Sequence, residues 1–130
     1  MKTALLTLFC LVCVAGQAQL HTSLNTITPA DEYDNIATHP LHSDSLSTSL
    51  IIWVKKEVAP HRHAYHSECL YVLAGTGNLK VGNQTYSIQA GDFVNIPVNT
   101  VHALSVTSSI PLKVISIQAP EFMGKDRIFE

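Results

Sequence analysis

From residue 48 onward, short runs of β-branched, aliphatic and aromatic residues alternate with turn residues every eight to twelve positions. Ser49–Val58 predicts a strand whose centre, Leu50-Ile51-Ile52-Trp53-Val54, is apolar on both faces. Glu68–Ala74 predicts the next strand, and Gly75-Thr76-Gly77 a turn after it. Asn78–Val81 and Thr85–Ile88 flank Gly82-Asn83-Gln84, a short hairpin signal. Ala90-Gly91-Asp92 leads into Phe93–Ile96, and Pro97-Val98-Asn99 turns the chain again. His102–Thr107 and Leu112–Gln118 are the last strands, with Pro111 between them. No window carries a helical stripe, and connections this short exclude βαβ crossovers. Residues 48–118 therefore predict an all-β domain, an antiparallel barrel or sandwich.

The flanks differ. Residues 19–47 are rich in Ser, Thr, Asn, Asp and His and lack periodicity, which predicts an irregular N-terminal arm. Thr28 and Pro29 could open a short helix there, as N-cap and first helical residue. The C-terminal tail, residues 119–130, alternates charge with apolar groups; it is expected to fold over a surface, and no chemistry is assigned to it. Residues 1–18 read as a signal peptide, with Lys2 as the positive end and Ala4 to Gly16 as the apolar stretch. That stretch is shorter than the roughly 20 residues of a membrane span. Gly16 and Ala18 place small residues at the cleavage positions, so the cut is expected before Gln19. The expectation is export, to a bacterial periplasm or the medium, with no membrane association after cleavage.

Composition narrows the function classes. A chain that is 46% hydrophobic and 14% charged forms a core. Its formal net charge is -2, so nothing here favours nucleic acid, whose electrostatic footprint is a basic face. Cleavage would remove Cys10 and Cys13 and leave Cys69, which rules out an intramolecular disulfide framework. Cys69 lies in an apolar run and is expected to be buried.

The candidate chemistry lies in Pro60-His61-Arg62-His63-Ala64-Tyr65-His66-Ser67-Glu68. In a strand, residues i and i+2 face one side, roughly 6.6 Å apart. His61 and His63 can therefore aim two imidazoles at one point, and Glu68 could add an oxygen. Alone, such a pair also fits two surface histidines. A second segment, Gly91 to His102, places another histidine at the start of a strand after a Pro-Asn turn.

Together the two segments resemble the paired motifs of the cupin superfamily. His61 and His63 are followed by four residues, Glu68, six residues and Gly75. Gly91 is followed by five residues, Pro97, one residue, Asn99, two residues and His102, and fifteen residues separate the two motifs. The resemblance covers residues 48–118. It implies a double-stranded β-helix, the jelly-roll or cupin barrel, enclosing one divalent transition metal on His61, His63, Glu68 and His102. Imidazole and carboxylate suit Mn, Fe, Co, Ni, Cu or Zn, and four protein ligands leave positions open for water or substrate. Three positions depart from the pattern: Lys55 and Asn99 replace glycines, and Val106 replaces a closing asparagine. Asn99 is a mild change, because Asn tolerates positive φ. Strand parity puts His102, Leu104 and Val106 on one face, which gives the site apolar walls.

Around this set, His66 is expected as an exposed loop histidine, with an extra ligand or a proton carrier as alternatives. Arg62 is expected in solvent. Trp53 reads as core or interface, and Tyr65 and Tyr71 as packing groups. Glu68, Leu70, Val72 and Ala74 share one face and Cys69, Tyr71 and Leu73 the other. Both look buried, so a second subunit, giving a homodimer, or the arm must cover the outer one. Two functions fit: a metalloenzyme acting on a small organic molecule, with dioxygenase or isomerase-like chemistry, or a non-catalytic binding or storage module. No acid/base pair beyond the ligands is visible, so the catalytic residues stay open.

Overall fold

A computed structural model describes residues 21–130. The expected signal peptide and its cleavage point before Gln19 lie outside these residues. Ten strands follow in order: β1 (Ile36–Ser43), β2 (Thr48–Val54), β3 (Glu57–His63), β4 (Ser67–Ala74), β5 (Thr76–Val81), β6 (Gln84–Gln89), β7 (Phe93–Ile96), β8 (His102–Val106), β9 (Leu112–Ala119) and β10 (Arg127–Phe129). They form two five-stranded sheets, β1-β2-β9-β4-β7 and β10-β3-β8-β5-β6. Every pairing is antiparallel. This is the expected all-β jelly roll. Among the described residues, no helix is long and apolar enough to cross a membrane.

The long strand expected over Ser49–Val58 is two strands. It breaks at Lys55-Lys56, where the chain leaves one sheet and enters the other. Asn35 holds the break: its Oδ1 accepts from the amides of Lys56, at 2.9 Å, and Glu57, at 3.2 Å. The chain crosses back between β3 and β4, and Gly75 makes the crossing after that, from β4 to β5. Its φ is 79°, and a Cβ there would stand 2.8 Å from the Leu112 Cα. Only glycine fits that approach.

The arm is not wholly irregular. Residues Ile36–Ser43 form an edge strand on β2, with a bulge at Pro40/His42. An edge strand facing water on one side tolerates polar residues and proline, which hid it from a periodicity search. The helix that Thr28 and Pro29 could open is absent; the one helical turn among the described residues is a 3-10 turn at Leu24–Thr26. The tail likewise ends in a strand, β10, on the edge of β3.

The core lies between the sheets, where Val54, Leu70, Val72, Leu79, Ile88, Ile96, Leu104, Leu112 and Val114 pack together. Within the described residues of the single chain, the outer face of the β4 sheet is only partly covered. Ile51 and Trp53 are buried there, at 0% and 6% exposure, and Lys113 reaches from that face to the carbonyls of Leu24 (2.9 Å) and Ile27 (3.2 Å) in the arm. Tyr71 is 43% exposed, and Cys69, expected to be buried, is half-buried. Tyr65, expected as a packing group, is 76% exposed.

Candidate metal centre

The four residues singled out from the sequence come together between the sheets. His61 and His63 project from β3 toward the inside, and both are buried. His102 opens β8 directly across the ladder from His61, and Glu68 comes from the start of β4 in the facing sheet. The ring centroids are 5.2 Å apart for His61 and His63, 4.1 Å for His61 and His102, and 5.5 Å for His63 and His102. One nitrogen of each ring lies within 4.8 Å of the other two.

Backbone carbonyls set the rings. Nδ1 of His61 donates to the Ala59 carbonyl (2.8 Å), Nδ1 of His63 to that of Asp126 (3.0 Å) and Nδ1 of His102 to that of Thr100 (3.0 Å). A ring that donates from Nδ1 presents a lone pair at Nε2 when neutral. Nε2 of His63 and of His102 are buried without a hydrogen-bond partner. Such orphans are costly unless something accepts their lone pairs. The Glu68 Oε2 faces them, 3.7 Å from His63 Nε2 and 3.3 Å from His102 Nε2. Its Oε1 accepts from the Ser116 hydroxyl and from Gln118 Nε2, the latter at 3.3 Å.

Protonation follows from the surroundings. Burial pushes His61 from 6.5 down to about 4, against its bond to Ala59 and with the help of His102. Burial also lowers His63, against the pull of Glu68. Burial by itself raises Glu68, but the adjacent His102, the Ser116 hydroxyl and the nearby His63 outweigh it and hold the carboxyl below its usual range. Two imidazoles that resist protonation beside an ionised carboxylate are the donor state a divalent cation needs. Oriented nitrogens, orphaned Nε2 atoms and a braced carboxylate fit such an ion.

His66 departs from expectation. It is 6% exposed, with Nδ1 2.5 Å from Asp126 Oδ2 and Nε2 2.7 Å from the Glu121 carbonyl. Both nitrogens are occupied, so His66 is neither a surface group nor a fifth donor. His63, His66 and Asp126 also lie within ligating distance of one another, but their hydrogen bonds make them a clamp instead of a second ion site. Asp126 accepts from the amides of Ala64 (2.9 Å), Tyr65 (2.8 Å) and His66 (3.2 Å) as well. Those bonds outweigh the effect of burial and hold its carboxyl low. The tail thus takes part in the site, which its sequence did not suggest. Arg62 is not free in solvent either: it pairs with Glu130 at 2.8 Å and donates to Asn99 at 2.6 Å. Asn99 has φ 61°, the left-handed conformation expected of a glycine substitute.

Ser116 and Gln118 were also missed, although a signal existed. Leu112, Val114, Ser116 and Gln118 share the inward parity of β9, and two polar residues on a core-facing row need a partner inside. Next to the histidines lies a cavity of about 100 Å³ with apolar walls, among them Val54, Leu70, Leu104 and Leu112. His61, Glu68 and His102 border it, and the apolar wall expected from Leu104 is present.

The sequence profile described as "Cupin domain" matches residues 50–118, more than half of the chain. The mannose-1-phosphate guanylyltransferase RfbM of Salmonella typhimurium is 39% identical over 66 residues, covering 51% of this chain and 14% of that protein. The quercetin 2,3-dioxygenase of Bacillus subtilis is 32% identical over 63 residues, covering 48% of this chain and 18% of the enzyme. The chain thus spans a minor part of the length of these curated relatives. Among solved structures, an RmlC-like cupin from Shewanella frigidimarina superposes with a TM-score of 0.69 at 20% identity, covering 83% of this chain and 96% of that one. The matched segment holds all four converging side chains and both motifs around them, and the chain belongs to the cupin superfamily.

Proposed function

We propose that this cupin binds one divalent transition metal on His61, His63, Glu68 and His102 and acts as a metalloenzyme on a small organic molecule. The observation that carries this is the pair of buried, unpartnered Nε2 atoms of His63 and His102, set in rings whose Nδ1 atoms are already committed. When bound, such an ion polarises a substrate oxygen or binds dioxygen at its open positions. The chain's own residues do the rest. Ser116 and Gln118 hold the Glu68 carboxylate in place, Asp126 and Thr100 fix ring orientation, and mainly apolar side chains line the adjoining cavity. The dioxygenase among the relatives supports an enzymatic reading.

The apolar lining favours a second reading. Beyond the ligands, the cavity walls offer few groups able to move a proton, as in a binding or storage module. Metal analysis of the native protein comes first. Oxygen uptake and isomerisation assays with phenolic and keto compounds then separate the two readings. A loaded protein with no turnover in any of them would favour the binding module.

Export rests on residues 1–18; N-terminal sequencing of the protein recovered from its native host should begin at Gln19. A homodimer rests on the exposed apolar groups Tyr71, Phe93 and Ile117 of the outer face, and sedimentation measurements test it.

A further inference from the structure

The lining of the cavity includes one cation, Arg127, to which the metal centre gives no role. Arg127 stands opposite His63 in the β3–β10 ladder, and Phe129 stands opposite His61. Residues directly opposite in an antiparallel pair share a face, so Arg127 lies on the side of the sheet that carries the histidines. Among the described residues the Arg127 side chain makes no hydrogen bond or ion pair. Its neighbour across the strand on the other face, Arg62, is held by Glu130 and Asn99. The one carboxylate in the lining, Glu68, is engaged by Ser116, Gln118 and the histidines.

The backbone at Arg127 is fixed by its neighbours, and its side chain is exposed. The preceding residue, Asp126, is bound to three successive amides and to His66, and β10 is paired with β3. The Phe129 ring lies 6.0 Å from that of His61. A guanidinium without a counter-charge, on an exposed residue that borders an apolar cavity, can recognise an anion at the cavity's rim. Its planar fork matches a carboxylate. A phosphate would need further donors, and the rest of the polar lining is Thr38, His61, Glu68 and His102. The size of the apolar part is bounded too. A cavity of about 150 Å³ accepts benzene, so one of about 100 Å³ takes a short aliphatic body.

We propose that Arg127 selects a small monocarboxylate, with the charged end against the guanidinium at the histidine end and a short aliphatic body between Val54, Leu70, Leu104 and Leu112. The proposal rests on the reading of this cavity as the place where an organic molecule meets the metal, and it adds the charge and size of that molecule.

The test uses the full zinc-loaded chain, titrated calorimetrically with 3-methylbutanoate and with its neutral amide. Wild type is compared with R127Q, R127K and K125Q, and zinc content is measured for each. Wild type should bind the acid about tenfold or more tightly than the amide. R127Q should abolish that preference while keeping one zinc per chain, R127K should restore part of it, and K125Q, at an exposed neighbouring position, should leave it intact. A zinc-loaded R127Q that keeps wild-type affinity for the acid, or a wild type without preference for the acid, overturns the role of Arg127. A wild type that takes up no zinc overturns the metal reading instead. An Arg127-dependent preference for the acid in that zinc-free protein would still support the arginine site.

Discussion

Asp126 reaches His66 across sixty residues of chain, with Oδ2 2.5 Å from Nδ1. The same carboxylate accepts the amides of Ala64, Tyr65 and His66, and the Asp126 carbonyl accepts Nδ1 of His63. One tail residue therefore pins the turn between β3 and β4 and also sets the ring of a proposed ligand.

Replacing Asp126 with Ala strips partners from three partly buried amides and a buried imidazole. Each unsatisfied group costs roughly 1–3 kcal/mol, so the unfolding free energy should fall by about 3 kcal/mol or more, measured by urea titration. Metal affinity should also fall, because a released tail no longer holds the Asp126 carbonyl against the His63 ring. Asp126→Asn keeps one acceptor oxygen and should lose less of both. Unchanged stability in the Ala variant would mean that the tail does not dock in solution.

Ser116→Ala removes the hydroxyl that braces Glu68. Metal affinity, read by chelator competition, should drop about 10–100-fold. His63→Ala removes a ligand nitrogen and should cost more than that. Metal bound only to the folded state adds stability, so a chelator should lower the melting temperature of wild type and leave that of the His63→Ala variant unchanged. Equal metal occupancy in wild type and the His63 variant would count against the ligand assignment.

The pH dependence of the metal-free protein has a defined sign. His61 in the folded state has a pKa of about 4 against an ordinary 6.5, so below pH 6.5 the unfolded chain takes a proton that the folded one refuses. Stability should therefore be constant above pH 6.5 and decline as the pH falls from 6.5 toward 4. His63, also lowered, acts in the same direction. Glu68, held low, adds stability above its unfolded pKa that is lost on further acidification. Denaturant midpoints of chelator-treated protein at several pH values measure this. His61→Gln should flatten the decline between pH 6.5 and 4; a slope identical to wild type would contradict the burial argument.

The chain has one tryptophan, which makes the arm measurable. Trp53 is buried on the outer face, and the Lys113 Nζ lies 5.4 Å from its ring centroid while tied to Leu24 and Ile27. Lys113→Ala should release that part of the arm and shift Trp53 emission to longer wavelength without loss of the metal centre. No shift would mean that other contacts hold the arm.

Alternation of residue types within single strands was enough to place most of the barrel, and it is local information. A strand shows its faces through its own residues, so β4, β8 and β9 were legible, as was the pairing of His61 with His63. The spacing to Glu68, Gly75, Gly91 and His102 carried the rest of the proposed ligand set, because each motif is a strand end joined to a tight turn. What hid from the sequence depends on partners far along the chain. The edge strand β1 faces water and so shows no clean period. The split at Lys55-Lys56 is a change of sheet, visible only once both sheets exist. His66 and Asp126 are ordinary polar residues in isolation and become a clamp only when folding brings the tail to the turn. Arg127 likewise carries no spacing that marks it; its role comes from the register of β10 on β3. Short-range pattern decided which side chains point inward, and long-range packing decided which of them meet.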